Sequence, residues 1–168
     1  MSNSVCLKNG MFFKAGLCIA FIAVVIFMAA GCKEAPIIGA ENYDASVSLI
    51  SFELIDDEFD GVIYREVTDF SKLAARSEIP LLVAFYQQMN DINIDVMPVL
   101  EELAVSHDNR IQIVWIDAGR EAAIAEQFSV RQTPQFVIVD DAIIKRSLTG
   151  FSDQGRKDLM DLITPYLD

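Results

Sequence analysis

The sequence predicts an α/β sandwich, a central mixed sheet flanked by helices, with an extension strand on its N-terminal side. Continuous apolar runs, LLVAFY at 81–86 and IQIVWID at 111–117, read as strands buried on both faces, as a sheet covered on both sides by helices requires. Segments with apolar residues at helical spacing lie between such runs, so strands and helices alternate. FVIVD and AIIKRSL, separated at Asp140-Asp141, read as an antiparallel hairpin that closes the sheet.

The chain has 168 residues, 25 of them acidic and 13 basic, and a formal charge of −12. A hydrophobic content of 52% excludes disorder of the whole chain. The acidic balance, without a Lys/Arg cluster, excludes a nucleic-acid binder, because nothing is available to neutralise phosphates. Residues 1–31 contain Lys8 and Lys14, no acid, and an apolar run from Ala15 to Gly31. A basic start, an apolar middle and small residues at the end describe a secretory signal. The end, Ala29-Ala30-Gly31-Cys32, resembles the lipobox of bacterial lipoproteins, which implies cleavage before Cys32 and attachment of acyl chains to its thiol. The alternative is an uncleaved anchor, for which about 17 residues is the short limit of a span. Either way the remainder is expected on the extracytoplasmic side of a membrane in the bacterial cell envelope, with membrane lipid contacted through Cys32. Cys6 and Cys18 fall in the signal, so cleavage leaves no free thiol and no disulfide.

Residues 32–46 read as the acylated cysteine and a flexible tether, with Pro36, Gly39 and Asn42 and no sustained periodicity. Val47 to Leu54 alternates as a strand, and the acidic DDEFDG at 56–61 reads as a solvated turn; together 47–60 form the extension. The folded domain is expected over 61–168. It begins with VIYREV as a strand, followed by a short helix capped by Thr68 or Asp69. After the strand 81–86, Val96, Val99, Leu100 and Leu103 mark a helix from Asp95 to Ser106. A helix at 121–128 follows the strand 111–117, and a last helix begins after Ser152 or Asp153.

This order resembles thioredoxin over Gly61 to Leu167. The residues that carry the likeness are LLVAFY with Pro98 thirteen residues after Phe85, then VRQTPQFVIV, then Gly150 in SLTGFS. The resemblance implies that Pro98 bends the second helix. It also implies that Pro134 is a cis-proline facing the active site, behind a residue, Thr133, whose backbone pairs with substrate chains. The family's WCGPC motif should begin four residues after Phe85, where this chain reads Met89-Asn90-Asp91-Ile92-Asn93. Both cysteine positions are asparagine. Thiol–disulfide exchange needs a thiolate and a resolving thiol, and a side-chain amide is neither nucleophilic nor ionisable at neutral pH. The family's buried aspartate corresponds to Ala84 and its lysine neighbour to Ile113. No catalytic residue is therefore expected.

Met89, Ile92, Thr133 and Pro134 are expected to cluster at the exposed end of the sheet, as a surface suited to an extended peptide from an extracytoplasmic protein partner. A vestigial surface that binds nothing, an inert lipid-anchored spacer, and a thiol–disulfide oxidoreductase role resting on the family label alone are the alternatives. No cofactor and no metal is expected. Asp91, Asn93, Asp95 and Glu102 have calcium-loop spacing, but Val96 stands where that loop needs glycine, and these residues read as the start of a helix. His107 is the sole histidine, too few for zinc, and reads as a residue near a helix C-terminus where positive charge is favourable. Trp115 reads as core.

Overall fold

The computed structural model describes residues 34–55 and 59–167. The expected signal, Cys32 and the acidic residues 56–58 lie outside the described residues. The folded unit begins at Pro36.

Seven strands form one sheet in the order β1-β3-β2-β5-β4-β6-β7. They are β1 (Ile38–Glu41), β2 (Val47–Ile55), β3 (Phe59–Val67), β4 (Leu81–Tyr86), β5 (Gln112–Asp117), β6 (Gln135–Asp140) and β7 (Ile143–Thr149). Among the described residues three helices connect strands, α1 (Phe70–Arg76), α2 (Asn93–Ser106) and α3 (Ala122–Gln127), and a fourth, α4 (Gly155–Ile163), follows β7. β4 and β5 are parallel and the other pairings are antiparallel, so the sheet is mixed.

The apolar runs are buried on both faces because helices cover both. Leu82, Ala84, Ile113, Trp115, Phe136 and Ile138 point to one side, against Val96, Leu100 and Leu103 of α2 and Leu159 and Ile163 of α4. Leu81, Val83, Phe85, Val114, Ile116 and Val137 point to the other, against Phe70 and Leu73 of α1 and Ala125 of α3. Each fully buried Leu, Ile or Phe side chain contributes on the order of 2 kcal/mol of transfer free energy. Asp69 caps α1, accepting a bond from the Lys72 N–H at 3.0 Å, as the sequence suggested.

The N-terminal part departs from expectation in two places. Residues 38–41 form β1, inside the stretch read as tether. β1 pairs with β3, with Ile38 opposite Val67 and Glu41 opposite Arg65, and Thr68 donates to the Ile37 carbonyl from its N–H at 2.9 Å. Four residues are too few to show alternation, so only the pairing reveals this strand. The extension strand β2 is an interior strand: Val47, Ser48, Leu49 and Ile50 pair with Ile116, Trp115, Val114 and Ile113 of β5, and its other edge pairs with β3. The expected boundary at Gly61 falls within β3.

Smaller differences concern ends. α4 starts at Gly155, with no side-chain cap on Gln154; Ser152 instead accepts from the Gln154 N–H at 3.2 Å. The β6–β7 turn is Asp141-Ala142, both with positive φ (53° and 58°), the left-handed pair a two-residue hairpin requires.

Candidate functional site

Tyr86 ends β4 and Asn93 begins α2, and the loop between them carries the expected site residues. The loop is tied at both ends to one carbonyl. Gln87 C=O accepts from the Asn90 N–H at 3.3 Å and from the Asn93 side-chain amide at 2.9 Å. Asn90 Oδ1 accepts from the Ile92 N–H at 3.4 Å. Inside the Gln87–Asn90 turn Met89 has φ of 61°, a left-handed conformation uncommon for a residue with a Cβ, and the residue is 99% exposed. Ile92 is half-buried and packs on the α2/α4 core.

Asn93 is thus a structural member of the loop, its side-chain amide tying the helix start to Gln87. Its Oδ1 is buried without a partner. The helix start is otherwise closed by backbone carbonyls: Asn90, Asp91 and Ile92 accept from the N–H groups of Asn93, Ile94 and Asp95 at 3.0 to 3.1 Å. Asp91, Asn93 and Asp95 do lie at the start of a helix, with Asp95 in its first turn, but the N-cap position is Ile92, without a side-chain cap, and the side chain that accepts from a backbone N–H there is that of Asn90.

The second half of the site enters on β6. Phe85 is opposite Gln135, so Pro134 and the loop after Tyr86 leave the sheet side by side at the same end. The Thr133–Pro134 peptide is cis. Pro134 is buried and Thr133 half-buried. The Pro134 carbonyl accepts from the Gly150 N–H at 2.8 Å. Gly150 has φ of +86° and open space where a Cβ would stand, so backbone conformation and not crowding selects glycine here.

Beneath the loop the sheet is apolar. Ala84 (0% exposed) pairs with Trp115 on β5 and Phe136 on β6; Ile113 (1%) is two register pairs back, opposite Leu82. Trp115 is a core residue, flanked by the small Ala84 and Ser48 on neighbouring strands, and Tyr86 stacks on it with ring centroids 4.2 Å apart and 5° between planes. Among the described residues the buried polar or charged side chains are Ser48, Asp117 and Gln135, of which only Asp117 is a charged type.

The one buried carboxyl near this end, Asp117, had no reading from sequence beyond its place in a strand. Its Oδ1 accepts from the Gly119 and Arg120 N–H groups at 2.9 and 3.2 Å, fixing the turn into α3, and its Oδ2 is unpartnered. An Asp two residues before Gly is the available signal for such a turn. Burial, and secondarily the charge of Asp117, raise the Tyr86 phenol above its ordinary range. The turn also holds the N-terminal segment: Arg120 donates to the Asp44 carbonyl at 2.8 Å, and Ser46 donates to Glu121.

The remaining candidates disperse. Among the described residues no group of three His, Cys, Asp or Glu is placed to hold a metal. Glu102 lies seven residues, about 10 Å, along α2 from Asp95 and pairs with Arg156 of α4. His107 is the C-cap of α2, but the expected positive charge is disfavoured: partial burial and then the neighbouring Arg110 lower its pKa, and Arg110 donates to Nδ1 at 2.8 Å.

The family model for thioredoxin matches residues 61–164. The chain belongs to the thioredoxin family. It is 31% identical over 71 residues to the chloroplastic thioredoxin Y of Oryza sativa subsp. japonica, a match covering 42% of this chain and 42% of that one. It is 26% identical over 89 residues to the thioredoxin of Haemophilus influenzae, covering 53% and 83%. The chain therefore spans less than half the length of the rice relative and most of the Haemophilus one. A mutant thioredoxin from Halobacterium salinarum NRC-1 superposes with a TM-score of 0.52 at 25% identity, over 60% of this chain and 85% of that one. Mitochondrial thioredoxin 3 of Saccharomyces cerevisiae, at 21% identity and TM-score 0.52 over 58% and 88%, shares the fold. The thioredoxin match begins inside β3, so β1 and β2 precede it.

Proposed function

We propose that this protein is a thioredoxin-family domain of the bacterial cell envelope, held to a membrane by acyl chains on Cys32. Its surface at Met89, Ile92, Thr133 and Pro134 binds a protein or extended peptide without thiol chemistry. The observation that carries this reading is the loop 87–93: asparagines stand at both positions where the family resemblance places cysteines, and the Asn93 amide closes the loop onto Gln87. The sequence contains no cysteine after residue 32. The apolar floor at Ala84 and Ile113 supports it further, since a dithiol that exchanges protons has no buried carboxyl there to use.

The names of its relatives suggest the competing role, a thiol–disulfide oxidoreductase. The full chain in detergent, assayed for insulin disulfide reduction, separates the two. The expected result is a rate at the level of a protein-free control; a thioredoxin-like rate overturns the non-redox reading. Binding is tested by pull-down from envelope extracts with Thr133→Lys, at a half-buried position, and Met89→Glu, at a fully exposed one, neither of which is a buried core residue. Loss of a partner held by the unsubstituted chain supports the surface, equal capture by all three puts the partner elsewhere and sinks it, and capture by none favours an inert spacer. Intact mass of the membrane-extracted protein checks the anchor: residues 32–168 plus acyl chains, with no alkylatable thiol, is the expected species.

A further inference from the structure

The loop has lost its thiols but keeps a sulfur. Met89, a member of the proposed binding surface, is 99% exposed and has a left-handed φ inside the turn that the Asn90 N–H closes on the Gln87 carbonyl. The other described methionines differ in kind. Met97 and Met160 are half-buried and pack against the α2/α4 core, where neighbouring atoms shield the thioether. Oxidation susceptibility follows access of the oxidant to sulfur, and conversion of a thioether to a sulfoxide turns an apolar, flexible side chain into a polar one.

We propose that Met89 is an oxidation switch on this surface: a peroxide oxidises its thioether ahead of Met97 and Met160, and the sulfoxide weakens partner binding without disturbing the fold. The step balances with hydrogen peroxide alone. A sulfur lone pair attacks one peroxide oxygen, the S–O bond forms as the O–O bond breaks, and the departing hydroxide takes the remaining proton and leaves as water. Sulfur loses two electrons and peroxide gains them, and no thiol takes part. The fold is spared because the Met89 side chain has no buried contact to lose. The binding half of this proposal rests on the peptide-binding reading above, whereas the order of oxidation does not.

The full chain in detergent is treated with graded hydrogen peroxide, and sulfoxide at Met89, Met97 and Met160 is followed by peptide mapping. Met89 is expected to oxidise at least about tenfold faster than the other two, with the thermal unfolding midpoint unchanged. Equal or slower oxidation of Met89 overturns the proposal. Binding is read with a fluorescent, reduced and carboxymethylated α-lactalbumin, an unfolded chain that carries no free thiol. Oxidation of Met89 is expected to weaken binding about tenfold or more, the scale of one lost Met side-chain burial. Met89→Leu is expected to bind equally before and after peroxide, and Met89→Gln to bind weakly throughout. Undiminished binding by fully oxidised protein overturns the switch and leaves the peptide-binding reading standing. Failure of untreated protein to bind the probe removes that reading, and the switch with it.

Discussion

The two halves of this sheet are held in different ways. β5, β4, β6 and β7 form a block whose first three strands are apolar on both faces and covered by helices on both. β1, β3 and β2 form an alternating, largely antiparallel block. One of its faces meets α2, where Tyr64 donates to Glu101 at 2.6 Å; its other face includes the Glu53–Arg65 ion pair at 2.6 Å, which is partly open to solvent. The first block coheres through burial. The second is joined to it through one edge, the four pairings from Val47–Ile116 to Ile50–Ile113. The thioredoxin match covers the first block and part of β3, so the strand that connects the halves lies outside the family pattern.

If that connection is structural, deleting residues 34–55 has the largest effect available. β5 then exposes the edge at Ile113–Ile116, and β3 loses the partner that attaches it to the sheet. The expected outcome is no cooperative thermal transition by circular dichroism. Deleting 36–41 alone removes β1, a four-residue edge strand, and is expected to lower the midpoint while leaving the transition cooperative. A cooperative transition in the longer deletion, at the full-length midpoint, would make β2 an ornament and the family region self-sufficient.

The same comparison explains what could be read from residues. LLVAFY and IQIVWID announce themselves because burial on both faces demands an unbroken apolar run, a local property of the chain. The neighbour that β2 chooses is a tertiary property, and alternation in Val47–Leu54 fits an appended strand as well as an inserted one. β1 has no local signal, since its order comes from β3 and Thr68. At the site, the positions of Met89 and Pro134 follow from spacing and family resemblance. The Asn93–Gln87 bond, the Tyr86–Trp115 stack and the unpartnered Asp117 oxygen depend on how three strand ends meet, and no sequence pattern specifies that.

A second prediction tests how dry the first block is. Ala84→Asp places a carboxyl among Trp115, Phe136 and Leu82, and the buried charged residue among the described ones is another carboxyl, Asp117, which cannot compensate it. An uncompensated buried charge costs roughly 3–5 kcal/mol, and denaturant unfolding at neutral pH is expected to show a loss of that order. Burial raises the folded-state pKa of such an Asp above its unfolded value, so the native state binds more protons and the defect shrinks as pH falls toward about 4. Adding Ile113→Lys is expected to recover part of the loss, because Ile113 shares that face two register pairs away. Strict additivity of the two changes would place Ile113 outside reach of Ala84.

The smallest effect belongs to the C-terminus of α2, the helix that packs on both blocks. His107 has a pKa lowered first by partial burial and then by Arg110, whose guanidinium donates to Nδ1 and therefore favours the neutral ring. A base with a depressed folded-state pKa binds fewer protons when native than when unfolded. Its contribution is therefore fully present above the unfolded histidine value, near 6.5, and is lost as pH falls from there through the lower folded value. His107→Gln keeps a polar side chain at the helix end and removes the titration. Stability measured from pH 7.5 to 5 is expected to fall less steeply in the variant than in the unsubstituted chain, with the two curves parallel above pH 7. Parallel curves throughout would show that His107 titrates alike in both states, and that its contact with Arg110 exerts no hold on the helix end.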